Sequence, residues 1–213
     1  MTQHIKNKID RRIQRTCQAL RAALLELIKE KGYDSISIEE ITERANVGRA
    51  TFYLHYKDKE DLLLEEFSAM TNEKVQVLSE IPFSAWLQSQ EDIAEVDARR
   101  PAPPLLIVFQ HIYDNSELYY ILLKSERSSR IIDRIRKIST EAIVRFVEVK
   151  AKTDPIPLLF SVPVEFFAAF FSGALLSTVD WWLEEGMRHT PAEMTDLFRS
   201  ICFKGVKSVI GNT

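Results

Sequence analysis

At 213 residues, 46% of them apolar, the chain is long enough for two modest cores, and its net charge of −3 gives no sign that the whole chain binds a polyanion. The charge is uneven: residues 1–60 are net basic by three and the remainder net acidic by six, which directs any polyanion to the N-terminal part. Cys17 and Cys202 are far apart with no Cys-x-x-Cys or Cys/His cluster near either, so neither a disulfide framework nor a zinc site is indicated, and a reducing cytoplasm is the expected location.

In chain order, Lys6, Lys8, Arg11, Arg12, Arg15 and Arg21 face a single acid, Asp10, within the first 21 residues. Residues 1–10 therefore read either as a flexible basic arm that can follow a nucleic-acid backbone or enter a minor groove, or as a disordered solubilising tail. The polar and charged N-terminus gives no secretory signal. Ile13, Cys17, Leu20, Leu24, Leu27 and Ile28 then recur at helical spacing as one apolar stripe, with Cys17 a small core residue within it.

Residues 35–59 carry the most information. Ser37 can cap a helix beginning at Ser37 or Ile38, Glu40 three residues on completes a capping box, and Glu39 and Glu40 suit the positive end of the helix dipole. Ile38, Ile41 and Ala45 share the inward face, while Glu39, Glu40, Glu43 and Arg44 turn to water. Asn46, which tolerates a left-handed backbone, and Gly48 stop this helix, with Val47 tucked inward to set the angle to the next. A second helix over residues 49–56 has Phe52 and Tyr56 four apart as an anchor. Arg49, Thr51, Tyr53 and His55 carry hydrogen-bonding groups on its other side. These are groups that grip phosphates and base edges, so the pair reads as a helix-turn-helix whose second member meets DNA. Lys57 follows, and Lys59 opens the next helix, where an ammonium and backbone N–H groups are expected to clamp one phosphate. The full DNA-facing set is Ser37, Arg49, Ala50, Thr51, Tyr53, His55, Lys57 and Lys59.

From residue 59 onward apolar residues recur three and four apart, which predicts an all-helical body. Leu62, Leu63, Phe67, Met70, Val75 and Leu78 mark a long helix ending near Pro82. Residues 83–104, proline-rich near their end, read as a mobile connection. Further helices are predicted over 105–115, 117–124, 129–150, 164–185 and 191–209. The uncharged run 166–179, bracketed by Glu165 and Asp180, is too short to cross a bilayer. It is apolar nearly all round, and Ala169, Gly173 and Ser177, four apart, let another helix approach closely. With Leu197 and Ile201 on the last helix, Phe166, Ala169, Phe170, Gly173 and Ser177 are expected to form a four-helix interface between two copies. Phe109, His111, Tyr113, Tyr119, Tyr120 and Trp181 are aromatic or polar residues of this body able to line a cavity.

Gly32-Tyr33, Ile38, Ile41-x-x-x-Ala45-x-Val47, Thr51-Phe52-Tyr53-x-His55-Tyr56 and Lys59-x-x-Leu62 together resemble the N-terminal domain of the TetR/AcrR family of transcriptional regulators. His111-Ile-Tyr-Asp-Asn, Phe171-Ser-Gly-Ala-Leu-Leu and Trp181-Trp182-Leu-x-x-Gly186-Met187 resemble the Firmicutes-type C-terminal domain of that family. The resemblance implies an all-α chain: a three-helix DNA-binding domain over 11–58, and a larger ligand-binding and dimerisation domain over 59–213. It also implies a homodimer that binds a palindromic operator and a small molecule that releases it, usually as a repressor. The chain departs from the family at Gly48, where serine is common, and at Leu54, where a polar or aromatic residue is frequent.

No glycine-rich phosphate loop, nucleophile elbow or Ser-x-x-Lys occurs, and no histidine has a glutamate three residues before it, so neither an enzyme, nor a cofactor, nor a metal site is expected. The alternative reading is a same-fold protein-interaction module or co-activator acting through another protein.

Overall fold

The computed structural model describes residues 2–82, 103–124, 129–153 and 162–204, and every regular element among them is helical. The helices are α1 (Thr2–Lys31), α2 (Ile38–Arg44), α3 (Arg49–His55), α4 (Lys59–Glu80), α5 (Pro104–Asp114), α6 (Ser116–Lys124), α7 (Ser129–Thr153), α8 (Val164–Glu184) and α9 (Pro191–Lys204). The expected connection over 83–104 lies outside the described residues except at its end, where Pro103 and Pro104 open α5 with proline in the first turn. The tail of the last predicted helix, 205–209, also lies outside them.

The chain divides into two compact units, Met1–Ala69 and Met70–Thr213. The division falls inside α4 rather than at its start, because Leu62, Leu63, Leu64 and Phe67 of its first turns are buried in the N-terminal core. Arg21 of α1 also reaches Glu66 of α4 at 3.2 Å, so this cation of the basic segment is tied down. The backbone of residues 2–10, part of the expected basic arm, continues into the first helix.

In the N-terminal unit, Leu20, Ala23, Leu24, Leu27 and Ile28 of α1 are buried, as are Ile41 of α2, Phe52 of α3 and Tyr56. Ile13, the first residue of the apolar stripe, is exposed. A short 3-10 turn, Tyr33–Ser35, joins α1 to α2; sequence periodicity cannot show so brief an element. Arg44 clasps α1 with a two-pronged pair to Glu30, both distances 2.7 Å, which lowers the Glu30 carboxyl below its usual range.

In the C-terminal unit, Leu105, Phe109 and Ile112 of α5 meet Val179, Trp182 and Leu183 of α8 and Met194 and Phe198 of α9 in one core. The Phe109 ring meets those of Trp182 and Phe198 edge-on at 5.9 and 5.8 Å, and the buried Trp182 indole N–H donates to the His189 carbonyl at 3.0 Å. Helix α7 runs against α8, where the Thr140 and Ser172 hydroxyls bond across at 2.8 Å. Helix α9 is opened by a capping box that periodicity alone does not flag: the Thr190 hydroxyl accepts from the Glu193 N–H at 3.3 Å, and the Glu193 carboxylate accepts from the Thr190 N–H at 2.7 Å.

By length and composition alone, the 21 residues of α8 are enough to cross a membrane. Its composition has another physical account: Ala168, Ser172, Val179, Trp182 and Leu183 pack inward, while an apolar stripe is left on the opposite side.

Candidate nucleic-acid interface

The helix pair is built as its residues dictate. Ser37 caps α2 with both halves of the capping box in place: its hydroxyl accepts from the Glu40 N–H at 3.2 Å, and Glu40 accepts from the Ser37 N–H at 2.9 Å. The Ser37 hydroxyl also donates to Glu40 at 2.9 Å, so it is engaged in the cap rather than held out for a partner. At the other end, Asn46 takes the left-handed backbone with φ 52°, and the Asn46 and Val47 N–H groups bond back to Glu43 and Thr42 at 3.0 and 2.9 Å. This is a helix stop that requires a residue tolerant of positive φ. Gly48 is extended, φ −66°, and caps α3 with no side chain, so its role is different from the one expected of it. An added Cβ there would meet only the Thr51 hydroxyl, at 3.8 Å.

Glu40 is paired by Lys31 as well as by the cap. The hydrogen bond from the Lys31 side chain, and then the Ser37 backbone N–H, pull its carboxyl down to about 2 from the ordinary 4.5. The folded state thus binds this proton more weakly than the unfolded chain. The stabilisation is complete above the unfolded value of about 4.5 and is lost as pH falls toward about 2. Thermal melts taken across that window should show wild type losing more stability on acidification than Glu40→Gln; parallel losses would remove Glu40 as a cause.

Helix α3 sorts its side chains cleanly. Phe52 is fully buried, and Tyr56, which ends the helix, is buried with burial raising its phenol pKa. Outward, Arg49, Ala50, Tyr53, Leu54 and Lys57 are exposed, while Thr51 and His55 are half-buried. Tyr53 is 49% exposed, and the Arg49 guanidinium stands 5.9 Å from the centre of its ring.

Lys59 is placed otherwise than expected. Its ammonium turns inward and donates to the carbonyls of Tyr33, Asp34 and Ile36 at 3.0, 3.2 and 2.9 Å, lying 4.5 Å from the centre of the Tyr33 ring. The first turn of α4 is occupied as well: the Asp58 carboxylate accepts from the Asp61 N–H at 2.8 Å, and Asp61 accepts from the Lys57 N–H at 3.4 Å. The expected clamp on a phosphate is therefore replaced by an internal clasp with two carboxylates beside it. The carbonyls lie 23 to 26 residues earlier in the chain, a separation at which no local pattern reports contact.

The six residues expected to line a pocket differ in exposure. Phe109 is core, with no surface left to offer a ligand. Tyr113, Tyr120 and Trp181 are exposed, and Trp181 stacks on His189 at 5.7 Å between ring centres. His111 and Tyr119 meet edge-on at 6.1 Å. Asn115 donates to His111 Nδ1 at 3.2 Å, and burial lowers the imidazole pKa to about 4, so it is neutral at neutral pH. Burial likewise raises the Tyr119 phenol.

On α8, Phe166 and Phe170 are 64% and 59% exposed, and Ala169, Ser177 and Trp181 are exposed beside them. Gly173 lies in the same stripe, and a Cβ added there would meet nothing within 4 Å. Leu197 and Ile201, one turn apart on α9, are exposed too.

A capped helix, a left-handed stop and a second short helix that is anchored by aromatics and polar outward define a helix-turn-helix protein of all-helical build. Residues 20–65 match the family described as bacterial regulatory proteins, tetR family, and residues 100–204 match the transcriptional regulator C-terminal region. The chain belongs to the TetR family of transcriptional regulators. Over 59 residues it is 49% identical to the HTH-type transcriptional regulator YxbF of Bacillus subtilis, a stretch that is 27% of this chain and 16% of that protein. The match spans less than a third of the length of the first such relatives. Two solved structures share the fold over nearly the whole chain. One, a Syntrophomonas wolfei protein assigned to the TetR-family regulators, is 22% identical, with 88% of this chain and 92% of that one covered and a TM-score of 0.59. The other, Thermus thermophilus FadR, a TetR-family transcriptional repressor in complex with lauroyl-CoA, is 18% identical, with 89% and 94% covered and a TM-score of 0.55.

Proposed function

We propose that this chain is a ligand-responsive repressor that binds a palindromic operator as a homodimer in the cytoplasm, with Arg49, Ala50, Thr51, Tyr53, His55 and Lys57 as its DNA-facing residues. The observation that carries the reading is the division of α3, with Phe52 and Tyr56 sealed inside and Arg49, Tyr53 and Lys57 turned out. Cations and phenols are groups that hold phosphates, and those of α3 lie within residues 1–60, the part of the sequence that is net basic. The second copy is supported by the outward stripe of Phe166, Ala169, Phe170, Gly173 and Ser177 with Leu197 and Ile201, an apolar surface that a twofold partner would cover. Two symmetric heads then match a palindrome. His111 and Tyr119 are the residues we assign to the effector, and acyl-CoA is the first class to screen because the Thermus thermophilus regulator carries one. The domains so assigned are a DNA-binding head over 11–58 and an effector and dimerisation body over 59–213.

Selection from a random duplex pool tests the reading: the chain should enrich one palindromic sequence, with affinity falling steeply as salt rises. Failure to enrich any DNA would overturn it in favour of a protein-interaction module. Tyr53→Ala should weaken binding to the selected operator about tenfold while leaving the dimer and the melting temperature unchanged, because this phenol lies outside the core. Unchanged affinity in a mobility-shift assay would remove Tyr53 from the interface.

A further inference from the structure

At about 100° of rotation per residue, α3 divides into an anchored side, an outward apex and two flanks. Phe52 and Tyr56 define the anchored side. Leu54 lies roughly opposite their midpoint, and Ala50, one turn earlier, about 40° from it. Arg49 and Tyr53 fall on one flank and Thr51 and His55 on the other, with Lys57 following just beyond the helix end.

Leu54 is 81% exposed, the most exposed large apolar side chain among the described residues. Single exposed leucines are ordinary on protein surfaces, so exposure alone means little. What distinguishes this one is its position. When a helix enters the major groove, its flanks approach the two sugar-phosphate walls and its apex meets base edges. Here both flanks carry polar or cationic groups, while the apex, Ala50 and Leu54, can neither donate nor accept a hydrogen bond. Of the four bases, only thymine presents a methyl group on that groove.

We infer that Ala50 and Leu54 form an apolar reading edge that selects thymine through its 5-methyl group. The inference rests on the reading of α3 as the DNA-facing helix. Sequence preference at the apex then comes from covering a methyl and excluding water, while Arg49, Tyr53, Lys57, Thr51 and His55 position the protein on the backbone.

The test uses the full chain and the operator recovered from the random pool, with each thymine replaced in turn by deoxyuridine, which pairs identically and lacks only the methyl. At one or more positions in each half-site, wild-type binding should weaken about fourfold, the effect of leaving one methyl group unburied. Leu54→Ala should bind the thymine and deoxyuridine duplexes equally at that position, and Leu54→Asn, when reselected, should no longer enrich thymine there. Leu54 makes no core contact to lose, so both variants should fold. The inference is overturned if wild type tolerates deoxyuridine everywhere, or if Leu54→Ala keeps the discrimination. Recovery of no operator at all would instead overturn the DNA-facing reading of α3, and this inference with it.

Discussion

Lys59→Ala should lower the stability of the N-terminal unit by about 2 kcal/mol, the usual contribution of hydrogen bonds from a charged group that leave their acceptors unmet. The Lys59 ammonium closes the link between α1 and α2 by meeting three carbonyls and one aromatic face. Without it, the 3-10 turn at Tyr33–Ser35 loses its cross-brace from α4. For a unit of this size, that corresponds to a drop of roughly 10 °C in melting temperature. DNA binding separates this account from a phosphate contact. Below its melting point the variant should keep the wild-type slope of log affinity against log salt, whereas loss of a phosphate contact reduces that slope by about one. A reduced slope with an unchanged melting temperature would return Lys59 to the DNA interface.

Gly173→Leu should convert the protein from dimer to monomer. In a single chain the added side chain has open space at its base, so nothing in the fold opposes it. Leucine also has the better helix propensity, by about 0.8 kcal/mol, so the isolated body should be at least as stable as before. In a twofold interface the insertion occurs twice, and each overpacked contact costs about 1–3 kcal/mol. The dimer should therefore weaken by at least roughly thirtyfold, seen as a shift to monomer in sedimentation at micromolar protein with thermal stability retained. A dimer that sediments unchanged would show that this stripe is not where the copies meet. Operator affinity should fall with the dimer, because one head reads only half a palindrome.

Much of the local structure was legible where chemistry and its partner lie within one helical turn. The Ser37 and Glu40 capping box, the stop at Asn46, the anchor pair Phe52 and Tyr56, and the start of α9 at Pro191 all follow from near neighbours in the chain. The small-residue stripe on α8 was legible for the same reason: period 3.6 fixes which residues share a side. Leu54 was legible by that rule too, since period 3.6 sets it opposite Phe52 and Tyr56.

Sequence by itself determined that this chain is all-helical, that residues 37–56 form a capped helix, a turn and a second helix, and which side chains share each helical face. Tertiary structure decided which way the remaining groups point. It turned Lys59 inward to carbonyls more than twenty residues away, drew Phe109 into a core with Trp182 and Phe198, and left Tyr113, Tyr120 and Trp181 exposed. The physical reason is that helical periodicity comes from backbone hydrogen bonds within four residues, whereas burial is set by surfaces that distant segments bring together.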